Sequence, residues 1–279
     1  MTRGLVLGGG GVAGIGWELG ILIGLRDAGV DVTAADRLIG TSAGAAVAAS
    51  VLSGWPLDDL FERQLSPALL DSEIKAEFDT QKMMLEFGAV LAGKSRGTEM
   101  LRAIGEYAMR AQTVAEADRR AVIERRLPTH DWPDRELLVT AIDAHTGEFQ
   151  VFTRSSGVAL VDAVAASCAV PGVWPPVAIG GRRYIDGGMR STANIDLAAG
   201  CDPVIVVGPS LMAALGSPEV IRNEQQLRAG ASVVTITANE ESLTALGTNP
   251  LDPAAARPAA LAGRAQAAAH VDEVKAVWR

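Results

Sequence analysis

Short apolar runs alternate with helical patterns over the first fifty or so residues of the chain. Residues 4–7 (GLVL) are typical of a buried strand, residues 8–11 are four glycines, and residues 15–29 carry apolar positions at helical spacing. The same order returns in residues 36–40 (DRLIG), a short turn, and the alanine-rich stretch 44–54. The pattern predicts two successive units of strand, turn and helix.

The next part of the chain has a different pattern. It is charged and poor in strand signals, and it predicts helices near residues 57–64, 73–92, 98–111 and 114–126. We interpret residues 57 to about 135 as a helical insertion in a larger domain.

Strand patterns return after this insertion. The sequence predicts a hairpin of residues 136–143 and 148–154, with Gly147 in its turn. Further predicted elements are a helix at 157–168, strands at 182–186, 202–208 and 232–238, and an alanine-rich helix at 253–278. Strands that alternate with helices predict an α/β fold, with a mostly parallel central sheet flanked by helices. We expect residues 1–279 to form a single domain.

Composition and charge narrow the classes of function. Hydrophobic residues make up 48% of the 279 residues, enough for a sizeable core, and the formal net charge is −8. Such a charge argues against general affinity for nucleic acids or anionic lipid surfaces. The short arginine pairs are expected to lie on solvated faces; they are Arg119–Arg120, Arg125–Arg126 and Arg182–Arg183.

The two cysteines and the start of the sequence bear on the cellular compartment. Cys168 and Cys201 lie in apolar segments, and a chain with this much core needs no disulfide, so both are expected to be reduced and buried. The first residues lack the continuous apolar region of a secretory signal, and no transmembrane segment is predicted. We expect a cytoplasmic protein.

Residues 40–44 (GTSAG) place Ser42 between two glycines where a predicted strand meets a predicted helix. A serine at such a sharp turn is lifted clear of the sheet and can act as a nucleophile. The alternative is a serine that only caps the helix. A nucleophile also needs a base, and none of the three histidines, His130, His145 and His270, lies near a recognisable motif.

The glycines that follow the first strand allow two interpretations. Residues 9–14 satisfy the G-x-G-x-x-G fingerprint of a dinucleotide site, but the second strand ends in Gly40–Thr41–Ser42 and not in the acidic residue that would hold a ribose. Alternatively, the N–H groups of Gly9, Gly10 and Gly11 can stabilise an oxyanion at a helix N-terminus. This second use is consistent with a nucleophile at Ser42.

Residues 88–95 (GAVLAGKS) match the pattern of a phosphate-binding loop. The residues before them have helical and not strand spacing, and the loop is too bulky to cradle phosphates closely. We interpret this stretch as a helix end followed by a solvated Lys94.

Asp186 ends a short predicted strand and is followed by two glycines, in residues 184–188 (YIDGG). An Asp-Gly pair is usually only a turn. A free carboxylate is a weak base, so a catalytic role requires burial and close contact with the serine. The sequence alone leaves this open.

Four motifs in this order resemble the patatin-like phospholipase family: LVLGGGGVAG, GTSAG, AASCAVPGVWPP and RRYIDGG. The resemblance spans roughly residues 4–202 and is weakest in the insertion. It implies a Ser-Asp dyad without histidine, with Ser42 as nucleophile, Asp186 as base and Gly9, Gly10 and Gly11 as oxyanion hole. It implies a lipid or acyl-ester substrate, peripheral contact with a membrane, and neither cofactor nor metal.

The sequence departs from this family in the glycine loop. The loop of the family commonly carries Arg or Lys before its last glycine, where this chain has Ala13. The departure bears on the preferred substrate more than on the chemistry, because the backbone donors remain.

Two other functions compete with a lipid acyl hydrolase. One is a nucleotide-binding α/β protein that uses a glycine motif, which a thermal shift with nucleotide would reveal. The other is a lipid-binding module that keeps the fold without activity, which a fluorophosphonate would leave unlabelled.

Overall fold

The computed structural model describes residues 1–76, 80–211 and 218–278. The strands within these ranges are β1 (Thr2–Leu7), β2 (Arg37–Gly40), β3 (Glu136–Asp143), β4 (Phe149–Phe152), β5 (Val177–Ile179), β6 (Arg182–Asp186), β7 (Cys201–Val207) and β8 (Val233–Ile236). The helices of the N-terminal half are α1 (Gly11–Asp27), α2 (Ala43–Val51), α3 (Leu57–Leu65), α4 (Ala68–Ser72), α5 (Thr80–Leu91), α6 (Thr98–Arg110) and α7 (Glu116–Arg126). Those of the C-terminal half are α8 (Leu160–Ser167), α9 (Pro218–Gly230), α10 (Glu240–Leu246), α11 (Ala256–Ala267) and α12 (Val271–Val277).

The strands form one mixed sheet in the order β5-β6-β3-β2-β1-β7-β8, with β4 paired to β3. The central neighbours β3, β2, β1, β7 and β8 run parallel. The pairs β3–β4, β3–β6 and β5–β6 are antiparallel. The predicted fold class, a mostly parallel sheet flanked by helices, is confirmed.

Helices cover both faces of this sheet. In β1, Leu5 and Leu7 face the core shared with α1, α2 and α8, whereas Val6 packs with Ile39 and with Leu227 of α9 on the other face. Alternate residues of a strand point to opposite faces, so a strand buried on both sides must be apolar throughout. This explains why β1 and β2 appear in the sequence as continuous apolar runs.

Helix α1 packs unusually closely against α11, and its glycines are the cause. A Cβ on Gly16 would lie 2.4 Å from the Ala256 carbonyl oxygen, and one on Gly20 would lie 2.2 Å from that of Ala260. Spaced four residues apart, these glycines share one face of α1 and let the two backbones meet. No helix in the described part of the chain has both the length and the apolar character that crossing a membrane requires.

Helices α3 to α7 lie between β2 and β3, and the described residues of this stretch contain no strand. The predicted helix 73–92 was wrong over residues 73–76. Helix α4 ends at Ser72, Glu73 is extended, and α5 begins at Thr80; residues 77–79 lie outside the described ranges. The reason is tertiary, because the Glu73 side chain pairs with Arg126 of α7 at 2.8 Å.

Two further elements differ from the prediction. Strand β5 was missed, since its three residues gain their partner only in the hairpin with β6. The predicted helix 253–278 is interrupted by a 3₁₀ turn at Ala268–His270. After this turn, Val274 of α12 and the following Trp278 pack against the core.

The expectation that the arginine pairs are solvated was wrong for Arg119 and Arg126. Their side chains are only 7% and 9% exposed. They share the inward face of α7 with Val122 and Ile123, at helical spacing. The expectation for Cys168 and Cys201 is confirmed, because both are free and buried.

Candidate active site

Ser42 lies on a strained turn between β2 and α2. Its φ of 54° and ψ of −116° are outside the regions that non-glycine residues normally adopt. A Cβ on Gly44 would lie 2.1 Å from the Leu7 carbonyl oxygen, so a glycine is needed at position 44 for α2 to approach β1. The Ser42 side chain makes no capping hydrogen bond to α2. Helix capping therefore does not explain this serine.

Asp186 ends β6 and lies next to Ser42. Its side chain is buried and lines the same cavity as Ser42, and the Gly188 N–H donates to Asp186 Oδ1 at 2.7 Å. Burial raises the pKa of Asp186 to about 7, although the Ser42 side chain and the Gly188 N–H act in the opposite direction. The two residues line one cavity, and the burial that a basic carboxylate requires is present. The dyad itself stays a prediction.

The C-terminal end of α8 holds the backbones of both residues. The Ser42 N–H donates to Ser167 Oγ at 2.9 Å, and the Cys168 thiol donates to the Ser42 carbonyl at 3.2 Å. The Asp186 N–H donates to the Ala169 carbonyl at 3.0 Å. Residues 165–172 (AASCAVPG) thus hold the backbones of Ser42 and Asp186 in place. Sequence reasoning did not assign this role to Ser167.

Asn194 connects the Ser42 turn to the Asp186 turn. Its side-chain amide is buried and lies 3.0 Å from Thr41 Oγ1 and 3.3 Å from the Gly187 carbonyl oxygen, which belong to the residues adjacent to Ser42 and Asp186. The Thr140 hydroxyl donates to Thr41 Oγ1 at 2.9 Å and completes the network. Sequence reasoning missed Asn194; its only local signal, a left-handed φ of 50°, is visible in the structure alone.

We expect Asn194→Gly to lower kcat by about 10- to 100-fold with little change in KM, because a lost buried hydrogen-bond network is worth about 1.5–3 kcal/mol. Glycine accepts the left-handed backbone, so the substitution removes the amide without adding strain. The measurement is steady-state kinetics with a soluble ester, alongside thermal unfolding. Asn223→Ala, on the exposed side of α9, is the control. A change in KM alone, with kcat retained, would contradict the positioning role.

The glycine loop between β1 and α1 is tied to the Ser42 turn. The Gly44 N–H donates to the Gly8 carbonyl at 2.8 Å, and the Gly9 N–H donates to the Thr192 carbonyl at 2.7 Å. Among hydrogen bonds between described residues, none uses the N–H of Gly10 or Gly11. The three glycines of the predicted oxyanion hole therefore differ. Gly9 uses its N–H to hold the loop, whereas the N–H groups of Gly10 and Gly11 lie at the start of α1 without a partner among the described residues.

A cavity of about 180 Å³ brings the predicted site residues together. Ser42, Asp186 and the three loop glycines line it, and Val170, Met189, Pro250 and Leu251 supply apolar walls. A larger cavity of about 490 Å³, next to residues 196–202 and 223–231, contains none of the predicted site residues. The smaller cavity is where polar reactive groups meet an apolar surface.

The other sequence motifs lie elsewhere. Lys94 is exposed after the end of α5, without the preceding strand of a phosphate-binding loop. His130 and His145 are exposed and His270 is half-buried, and none of the three lines the cavity at Ser42. In the described ranges, no group of three or more His, Cys, Asp or Glu side chains is placed to hold a metal ion.

Comparison with known proteins gives a family and two similar structures. The sequence model of the patatin-like phospholipase family matches residues 5–199. VipD from Legionella pneumophila aligns over 98% of this chain and 67% of its own, with 15% identity and a TM-score of 0.49. The type III effector protein ExoU aligns over 98% of this chain and 53% of its own, with 16% identity and a TM-score of 0.43. No curated protein matches the sequence.

Proposed function

This chain belongs to the patatin-like phospholipase family, and from that premise we propose that it is a serine hydrolase that cleaves acyl esters of lipids. The observation that carries the proposal is the single cavity that Ser42, on its strained turn, shares with the buried carboxyl group of Asp186. A serine hydroxyl is a weak nucleophile unless an adjacent base accepts its proton. Asp186 is the adjacent base.

In the proposed reaction Ser42 Oγ attacks the ester carbonyl and its proton passes to Asp186. The tetrahedral intermediate collapses, the C–O bond to the alcohol breaks, and Asp186 returns the proton to the leaving oxygen. Water then attacks the acyl-enzyme, again giving its proton to Asp186, and the fatty acid leaves as Ser42 regains the proton. A pKa of about 7 suits this exchange, because a base is most effective when its pKa is near the working pH.

We propose that Gly10 and Gly11 donate to the negative oxygen of the tetrahedral intermediate. Their N–H groups have no partner among the described residues and begin α1, where the helix dipole favours negative charge. Gly9 has a supporting role in this proposal, because its N–H holds the loop to Thr192.

The test is a panel of nitrophenyl esters, monoacylglycerols and phospholipid vesicles, combined with labelling by a fluorophosphonate. The proposal expects ester hydrolysis and a single labelled serine, identified by mass spectrometry as Ser42. A protein that binds the vesicles but neither hydrolyses an ester nor takes the label would be a lipid-binding module, and the proposal would be wrong. The single domain, the cytoplasmic location and peripheral membrane contact stay predictions.

We expect kcat/KM to rise with pH and to reach half its plateau near pH 7. Asp186 accepts a proton only when it is ionised, and burial raises its pKa to about 7, so protonation removes the base at lower pH. The measurement is a pH–rate profile between pH 4 and 9 with an ester whose own ionisation does not change. A half-maximum near pH 4 would mean that the reactive carboxyl group is not buried.

Single substitution of each histidine by glutamine should leave turnover within about tenfold, because losing a general base costs about 10²–10⁴. His130, His145 and His270 do not line the cavity at Ser42. The same variants serve as controls for the pH profile, since an ordinary histidine titrates near pH 6.5. If one of these variants stays folded but its pH–rate profile no longer has a half-maximum near pH 7, that histidine and not Asp186 is the base.

A further inference from the structure

A second, much smaller cavity is also lined by Ser42. It shares Gly11, Ser42, Val170 and Leu251 with the larger cavity, and its other walls include Arg119, Arg126, Cys168 and Trp174. Its volume is about 10 Å³, roughly the space of one water-sized atom. A molecule bound at Ser42 could therefore place one oxygen atom in it.

Two arginines, Arg119 and Arg126, line this small cavity, and both pair with a single carboxylate, that of Glu73, which is not among the lining residues. Arg126 donates to both carboxylate oxygens of Glu73, at 2.8 and 2.9 Å. Arg119 Nη1 lies 3.7 Å from Glu73 Oε2, beyond hydrogen-bond reach. Burial raises the pKa of the Cys168 thiol to about 11, so it stays neutral. One carboxylate thus serves two guanidinium groups, while Asp186 accepts the Gly188 N–H.

Arg119, the more distant of the two partners of Glu73, also has donors without acceptors. Arg119 Nε and Nη1 and Trp174 Nε1 are buried and take no hydrogen-bond partner among the described residues. The Arg119 guanidinium stacks on the Trp174 ring at 3.9 Å, which holds both groups against the cavity. Burial lowers the pKa of Arg119 to about 10, with the charge of Arg126 acting in the same direction, yet Arg119 remains charged at neutral pH.

Two buried guanidinium groups that share one carboxylate, together with three buried donors that lack acceptors, are costly unless a bound group satisfies them. A water molecule in the cavity would accept at most two of these hydrogen bonds and would leave the charge unbalanced. An anionic oxygen can accept all three and balance the charge. The cavity has room for one such oxygen and adjoins the nucleophile.

We propose that Arg119 and Trp174 form a binding subsite for one anionic oxygen of the substrate, a terminal oxygen of a phosphate or carboxylate group near the scissile ester. The proposal rests on the proposed hydrolysis at Ser42 and names the class of ester that is preferred. Arg119 holds the anion and Arg126 keeps the site positive, while Glu73 holds Arg126 in place.

The test compares pairs of esters that differ only in the anion. A 1-acylglycerol 3-phosphate is measured against the 1-acylglycerol of the same chain length, for the phosphate source. The nitrophenyl monoester of a dicarboxylic acid is measured against the nitrophenyl ester of a monocarboxylic acid of equal length, for the carboxylate source. The readout is the ratio of kcat/KM for the charged to the neutral ester, in wild type and Arg119→Met.

In Arg119→Met the ratio should fall by about 10- to 100-fold for at least one pair, the value of hydrogen bonds to a charged group. The pair that responds identifies the phosphate or the carboxylate as the source. Arg125→Met, which changes an exposed arginine of the same helix, should keep the wild-type ratio. An unchanged ratio in Arg119→Met for both pairs overturns the subsite and means that the cavity holds only water.

A binding measurement separates this proposal from the proposed function. If the wild-type protein hydrolyses none of the esters, the hydrolase proposal fails, and the subsite is tested by calorimetric titration with inorganic phosphate. Saturable binding that weakens at least tenfold in Arg119→Met, and not in Arg125→Met, supports the subsite. The absence of saturable binding in the wild type overturns it. Thermal unfolding distinguishes these results from loss of fold, and Arg119→Gln, which keeps one donor, provides a second variant.

Discussion

Ser42→Ala is expected to lower ester turnover by about 10⁴-fold or more, the loss seen when a catalytic serine is removed from a working hydrolase. Alanine keeps the Cβ that already lies in the strained turn and removes only the oxygen, which makes no capping bond to α2. The thermal midpoint should therefore change little. The measurement is initial rates with a nitrophenyl ester, together with intact mass after treatment with a fluorophosphonate.

The control for this variant is Ser53→Ala. Ser53 follows α2, is half-buried, and donates to the Ser50 carbonyl outside the cavity at Ser42. This variant should keep both turnover and labelling. Labelling that survives in Ser42→Ala would assign the reactive serine to another position.

Asp186→Asn is expected to lower turnover by about 10²–10⁴-fold, the usual contribution of a general base. Asparagine has nearly the same shape but cannot accept the Ser42 proton. The measurement is kcat with the same ester, and the rate of fluorophosphonate labelling should fall in parallel. Turnover that stays near the wild-type value in folded Asp186→Asn would exclude the dyad.

The same substitution should change stability in the opposite direction. Burial raises the pKa of Asp186 to about 7, so the folded state favours the neutral form. This contribution to stability is fully present below the unfolded pKa, near 4, and is lost as the pH rises through about 7. Asp186→Asn stays neutral, so at pH 8 its thermal midpoint should exceed that of the wild type. Catalysis at Ser42 would thus have a cost in stability.

Asp143→Asn is the matched control, because Asp143 is another buried carboxylate at the end of a strand. Although burial opposes it, the N–H groups of Thr146 and His145 and the Arg182 guanidinium hold the pKa of Asp143 below its usual value. The ionised form is stabilising there, so Asp143→Asn should lower the thermal midpoint at pH 8 without a comparable loss of turnover. If Asp186→Asn and Asp143→Asn shift the thermal midpoint in the same direction, burial does not control the pKa of Asp186.

The local elements of the site could be predicted from the sequence. Strand β1, the glycine loop and α1, and then β2, the Ser42 turn and α2, follow from apolar periodicity and from glycines at sharp turns. Both signals depend only on residues that are neighbours in the chain, so they can be recognised in the sequence itself. The family motifs added the pairing of Ser42 with Asp186, which periodicity alone does not contain.

The supporting contacts could not be predicted, because they join segments that are distant in the chain. Ser167 reaches the Ser42 backbone from α8, and Asn194 reaches Thr41 from the loop after Asp186. Arg119 and Arg126 of α7 were misjudged for the same reason. Glu73, the partner of Arg126, lies in a stretch that was predicted to be helical.

The sequence by itself determined most of the strands and helices in their order along the chain, the four glycines, and a serine and an aspartate at the ends of two strands. The tertiary structure alone decided what these groups can do. Asp186 gains its raised pKa only because the packed chain removes water around it, and Arg119 loses its solvent when α7 docks behind Ser42. Burial depends on every element that packs around a group, so the reactivity of this site belongs to the fold and not to any one segment.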